Sequence, residues 1–137
     1  ILQWGKLGRE RGEFVRPQSI AIDKDDNIWV ADACNHRLQV FSNEGKLLKV
    51  IGKEGSEPGQ LNYPYDLCLD GKGHVYVCEF GNSRVQKMTL DGKSVATWGT
   101  YGREQGQLSR PWALARDTKG RIHVIDTYNH RVQRIRL

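Results

Sequence analysis

The sequence predicts an all-β protein, a β-propeller built of three four-stranded blades. The first observation behind this is an internal period: Trp4-Gly5, Ile51-Gly52 and Trp98-Gly99 recur every 47 residues through a chain of 137. The second is what each period contains, namely short β-branched and aromatic segments separated by turn residues, with no sustained 3.6-residue pattern of apolar side chains. Four antiparallel strands repeated every 40–50 residues or so describe a propeller blade.

The elements of each blade can be placed in order. Pro17, Pro64 and Pro111 precede a short inner strand, Ser19–Ile22, Asp66–Leu69 and Ala113–Arg116. Turn clusters opened by Asp23, Asp70 and Asp117 follow, since an Asp side chain there bonds nearby backbone amides. A second strand is expected at Ile28–Ala31, Val75–Cys78 and Ile122–Ile125, and a third at Leu38–Phe41, Val85–Met88 and Val132–Ile135. Turns such as Asp91-Gly92 then lead to a fourth strand, Lys46–Ile51 or Lys93–Trp98.

Between the second and third strands lies Asn35-His36-Arg37, repeated as Asn82-Ser83-Arg84 and Asn129-His130-Arg131. Together with Gly-x-x-Gly ahead of the proline and an Ala-Asp or Cys-Glu pair before the turn, it resembles the NHL repeat. The resemblance covers essentially the whole chain. Blade two departs from it with Ser83 for His and Glu79 for Asp, so the blade requires neither. The resemblance implies a six-bladed ring and, most commonly, a non-enzymatic scaffold that binds proteins or other ligands.

Three blades do not close a ring. The blades span about residues 5–51, 52–98 and 99–137, and the third stops after its third strand, whereas Ile1 aligns with Leu48 and Val95 inside a fourth strand. The expected solution is a homodimer of six blades. In it Ile1, Leu2, Gln3 and Trp4 of each copy supply the outer strand beside Val132, Gln133, Arg134 and Ile135 of the other. Cyclic two-fold symmetry is the commonest closed assembly. The alternative is that these blades are a piece of a longer propeller.

Comparison among the three copies separates architecture from local function. Ten columns are identical in all three, represented in the first by Gly5, Gly8, Glu10, Gly12, Pro17, Asp23, Val30, Asn35, Arg37 and Gln39. Arg37, Arg84 and Arg131 are expected to pair with Asp32, Glu79 and Asp126 or with backbone carbonyls, locking the second turn of each blade. Function is expected at variable loop positions at one end of the ring: Arg16, Tyr63, Tyr65, Phe80, Arg110, Trp112 and Tyr128. Basic and aromatic residues together suit a phosphate backbone and stacked bases. The resemblance supports this reading, because NHL rings of the tripartite-motif family read single-stranded RNA on one face. A solvated rim of ordinary surface arginines is the competing reading. Arg116 breaks an apolar column (Ile22, Leu69), so it either faces the channel or pairs with a buried carboxylate.

Enzyme motifs are missing: there is no Gly-x-Ser-x-Gly, no His-Glu-x-x-His and no Walker loop. Some NHL-like propellers, such as the peptide α-amidating lyase, hold zinc or calcium in the channel. His36 and His130 would be the ligands to consider, although both belong to the repeat motif. No cofactor is expected. Cys34, Cys68 and Cys78 are an odd number without paired spacing, which argues against a disulfide framework and is compatible with a reducing, cytoplasmic setting. The formal charge of +5 favours an acidic partner or nucleic acid, and equally serves solubility. No apolar run approaches a membrane span, and because Ile1 opens directly on strand-like sequence, no targeting segment is expected within these residues.

Overall fold

The computed structural model describes residues 1–137 and contains strands, turns and two single-turn 3₁₀ segments, with no α-helix. Blade one is the meander β1 (Pro17–Ile22), β2 (Ile28–Asp32), β3 (Arg37–Phe41) and β4 (Leu47–Ile51), paired in that order and antiparallel. Blade two repeats it with β5 (Pro64–Leu69), β6 (His74–Glu79), β7 (Arg84–Thr89) and β8 (Ser94–Trp98). A small parallel pair, β9 (Thr100–Tyr101) with β10 (Gln107–Leu108), knots the next long loop. The bridges Leu7↔Phe14 and Glu54↔Leu61 do the same at the two equivalent loops. Blade three has three strands, β11 (Ala113–Arg116), β12 (Ile122–Asp126) and β13 (Arg131–Ile135).

The sheets stack face to face, and the core lies between them rather than inside any one. Trp29, Ala31, Leu38 and Val40 of blade one meet Leu61, Leu67, Val75, Val77 and Met88 of the second unit. Tyr76, Cys78 and Val85 of blade two meet Leu108, Leu114, Ile122 and Val124 of the third. Each strand therefore sends alternate side chains to opposite neighbours, which is why the strands are rich in β-branched residues without a plain polar face. The column Gly5, Gly52 and Gly99 is needed for this stacking. All three have positive φ, and a Cβ there would fall 2.6, 2.7 and 2.9 Å from Phe14, Leu61 and Leu108, which seal the edge of each seam.

Asp66 joins the inner strands of all three blades. It accepts a hydrogen bond from the Ser19 hydroxyl of β1 and another, at 2.9 Å, from the Leu114 amide of β11. Nothing in the sequence marked Asp66, because its column holds Ser19 and Ala113 in the other copies. Residues Ile1–Trp4 pair with no strand in the single chain. Trp4 lies instead against Phe41, ring centroids 5.9 Å apart, on the outer face of blade one. That is the place Ile51 and Trp98 occupy on blades two and three.

Candidate ligand-binding end

Two loop families meet at one end of the stack: the long connections into each inner strand, and the 3₁₀ or turn segments after the second strand. The register Pro64↔Glu79 on β5 and β6 brings them together, since it sets the start of the inner strand against the end of the next. A buried carboxylate organises each junction. Glu79 accepts from Arg84 Nε at 2.6 Å, Asn82 Nδ2 at 2.6 Å, Gln86 Nε2 at 3.1 Å and the Asn62 amide at 3.1 Å. Asp32 has the same four kinds of donor in Arg37, Asn35, Gln39 and the Val15 amide. Asp126 has them in Arg131, Asn129, Gln133 and the Ser109 amide. The ion pairs expected from the sequence are thus present in all three blades. What the sequence did not disclose is that the Gln column completes them.

The same side chains grip the long loop. Arg84 also donates to the carbonyls of Ser56, Glu57 and Gln60, and Arg37 to those of Arg9, Glu10 and Glu13. Backbone groups that would otherwise be solvated are therefore fixed by a charged fork, and the loop end becomes a rigid platform. Burial pushes the Glu79 carboxyl above its usual range despite Arg84 and Asn82. At Asp126 burial also acts upward, but the Ser109 amide, Asn129 and Arg131 outweigh it and hold the group below its usual range.

Asp23, Asp70 and Asp117 are likewise held low. Burial acts upward on Asp23 and Asp70, and the amide and side-chain donors of their turns exceed it; at Asp117 the largest cause is the hydrogen bond with His123. Depressed carboxylates contribute stability that is present above the unfolded value, near 4 for Asp, and lost as pH falls through the folded one. A thermal melt followed by circular dichroism should therefore show a lower midpoint at about pH 3 than at about pH 7. An unchanged midpoint would contradict this assignment.

Of the eight ligand-face residues expected from sequence, the structure brings four together. Tyr65 and Phe80 stack at 4.4 Å with 19° between planes; Trp112 stands edge-on to both, at 5.1 and 6.0 Å; and the Arg110 guanidinium lies 5.1 Å from the Phe80 ring. Trp112 is 47% exposed immediately before the inner strand β11. Tyr63 is at the neighbouring seam, packed edge-to-face on His36 at 4.4 Å. Arg16 is exposed at the open side of blade one, and Tyr128 at the far side of blade three beside Arg103. Arg16, Tyr63 and Arg110 share a left-handed backbone, φ 53°, 47° and 52°, so the loop geometry repeats while the side chain it displays changes.

Arg116 does not belong to this end. It pairs with no carboxylate: its Nε is buried without a partner, and its guanidinium reaches over the Gly120 turn. It is close enough to Cys68 to oppose, in small part, the burial that pushes that thiol up to about 12. His36 and His130 stand on separate blades, and no three His, Cys, Asp or Glu side chains converge as a metal set would. All three cysteines are free thiols. No helix is long and apolar enough to cross a membrane.

Over 44 residues the chain is 39% identical to Protein brain tumor of Drosophila melanogaster, covering 32% of the chain and 4% of that protein. Over 46 residues it is 44% identical to Tripartite motif-containing protein 3 of Mus musculus, covering 34% and 6%. The chain thus spans only a small fraction of the length of these relatives. Among solved structures, virginiamycin B lyase from Staphylococcus aureus superimposes with a TM-score of 0.69 at 16% identity, over 94% of this chain and 39% of that one. An auxiliary nutrient binding protein from Bacteroides ovatus gives 0.67 at 20% identity, over 85% and 36%. At such identities the likeness is one of fold alone. The NHL repeat profile matches residues 14–41, 61–88 and 108–135, each running from the long loop through the third strand. With three matched repeats laid out as stacked β-sheets around one set of inner strands, this chain belongs to the NHL repeat family.

Proposed function

We propose that the chain is half of a six-bladed propeller, a non-enzymatic binding scaffold that closes its ring with a second copy of itself. The observation that carries this is the complementarity of its two uncovered faces. Each blade presents one face to the unit before it and another to the unit after. On the first kind of face Leu67 and Leu114 are 4% and 8% exposed, whereas Ile20 in the same column of blade one is 63% exposed. On the second kind Leu38 and Val85 are fully buried, whereas Val132 of blade three is 64% exposed. Ile22 and Ile125 repeat the contrast.

The open face of blade one also carries a cavity of about 420 Å³ lined by Trp4, Phe14, Ile20 and Val30, among others. The free edge of β13 is the natural seat for Ile1–Trp4 of the other copy, as β4 and β8 sit beside β3 and β7. Burying two such seams per dimer replaces exposed apolar surface by contacts the chain already makes twice internally. Light scattering on the purified chain tests this. About 31 kDa, twice the 15.6 kDa chain, is expected, and a stable monomer would end the reading.

The aromatic–arginine cluster favours a second reading, single-stranded RNA on this end of the ring. Trp112 offers an open ring face for a base, and Arg110 and Arg16 offer charge for phosphate. Binding to a single-stranded oligonucleotide should fall steeply with salt and should drop about tenfold or more in Trp112→Ala. Binding that ignores both salt and Trp112 would remove it. A protein or peptide ligand at the same end would survive high salt.

A further inference from the structure

We infer that His130 closes each seam between the two copies as a proton-sensitive latch. This rests on the ring proposed above and adds to it how that ring is regulated. The template is the seam inside the chain between blades one and two. There His36 adopts φ 53°, ψ 41°, and its Nδ1 accepts a hydrogen bond from the Tyr63 amide at 3.1 Å. The Tyr63 ring packs edge-to-face on the imidazole. His130 is the same residue two repeats on, at the open seam after blade three, with φ 53° and ψ 42° after an equivalent 3₁₀ turn, and it is exposed. The column facing it across a closed ring is Arg16 of the second copy, whose φ of 53° matches the 47° of Tyr63. The repeat geometry thus delivers the Arg16 amide of the second copy to His130 Nδ1, once at each of the two seams.

The two seams differ in what surrounds the ring. His36 has a carboxylate within reach, Glu54, 3.8 Å from Nε2. In the register of the repeat, Glu54 is replaced at the copy–copy seam by Leu7, which is apolar and exposed. The other charged groups around His130 are Arg103 and Arg131, which line its cavity with Tyr128, and Asp126, already occupied by Arg131 and Asn129. On the second copy Arg16 adds another cation, while Lys6 and Glu13 are paired with each other at 3.3 Å. A neutral imidazole accepts the hydrogen bond; a protonated one cannot, and it would meet the Arg16, Arg103 and Arg131 cations with no free carboxylate to offset them. The ring should therefore be tight above the range in which an imidazole titrates and loosen below it, while the internal seam holds.

Sedimentation equilibrium of the whole chain at about pH 8 and about pH 5.5, at matched salt, reads this out. The dimer dissociation constant is expected to rise at least about tenfold at the lower pH, the two seams acting together. His130→Ser is the test variant, because Ser83 fills this column in blade two with φ 51°. It should dimerise with no comparable pH response. His123, on the same open face and 3.0 Å from Asp117, is the other imidazole there. His123→Tyr, the residue type of Tyr76 in that column, should keep the response. A dimer equally tight at both pH values, or a response that persists in His130→Ser and vanishes in His123→Tyr, overturns the latch and leaves the ring. A monomer at both pH values overturns the ring and the latch with it.

Discussion

Replacing Arg84 with alanine should destabilise the chain by about 3–5 kcal/mol, because it removes one partner of a buried ion pair and leaves the other behind. Glu79 is fully buried and Arg84 nearly so, with side-chain exposures of 0% and 11%. The substitution deletes four hydrogen bonds, one to the Glu79 carboxylate and three to the carbonyls of Ser56, Glu57 and Gln60. Arg84→Lys keeps the charge but cannot span the carboxylate and the loop carbonyls together, so it should recover less than half of the loss. Glu79→Gln added to Arg84→Ala should recover part of it as well, since the stranded charge is then gone. Urea unfolding at neutral pH measures all three. A loss under about 1 kcal/mol in Arg84→Ala would mean that solvent or neighbouring loops replace the fork.

The second large effect is on assembly rather than on the fold. Ile20→Lys puts a charge on the open face of blade one, and Val132→Glu puts one on the open face of blade three. Both side chains are mostly exposed in the single chain, so each variant should melt close to the parent chain's intrinsic midpoint. In the ring each would be buried without a partner at both seams. An uncompensated buried charge costs several kcal/mol, so the dimer should weaken by at least about three orders of magnitude. Each variant alone is expected to run at 15.6 kDa.

Much of the fold was legible because the period repeats structural columns without insertion. The second and third strands fall where alternating β-branched residues stand, and the turns fall where Asp23, Asp70 and Asp117 stand. The carboxylate–arginine pairs were legible for the same reason, being charged residues held at fixed spacing in all three copies. Features that occur once were not. Asp66 joins three inner strands, but a column of Ser, Asp and Ala gives no pattern to follow. Trp4 was expected in a strand; it packs on Phe41, but residues Ile1–Trp4 pair with no strand of the single chain.

The ligand end was half legible. Tyr65 and Trp112 share a column, and their meeting across a seam follows from blade stacking. That Phe80 completes the cluster depends on the pairing of Pro64 with Glu79 and on a small register shift beside it, which the sequence does not display. Arg116 was half legible for a related reason. A lone charge in an apolar column could face the channel or a buried carboxylate; no carboxylate meets it, and its guanidinium lies over the Gly120 turn.

Mixing the two face variants tests the ring most directly. Ile20→Lys has an intact blade-three face, Val132→Glu has an intact blade-one face, and joining one copy of each restores one seam completely while gathering both charges at the other. Light scattering of an equimolar mixture should then show about 31 kDa, twice the 15.6 kDa that each variant shows alone. A mixture that stays at the mass of one chain, or either variant dimerising by itself, would contradict closure of the propeller through these two faces.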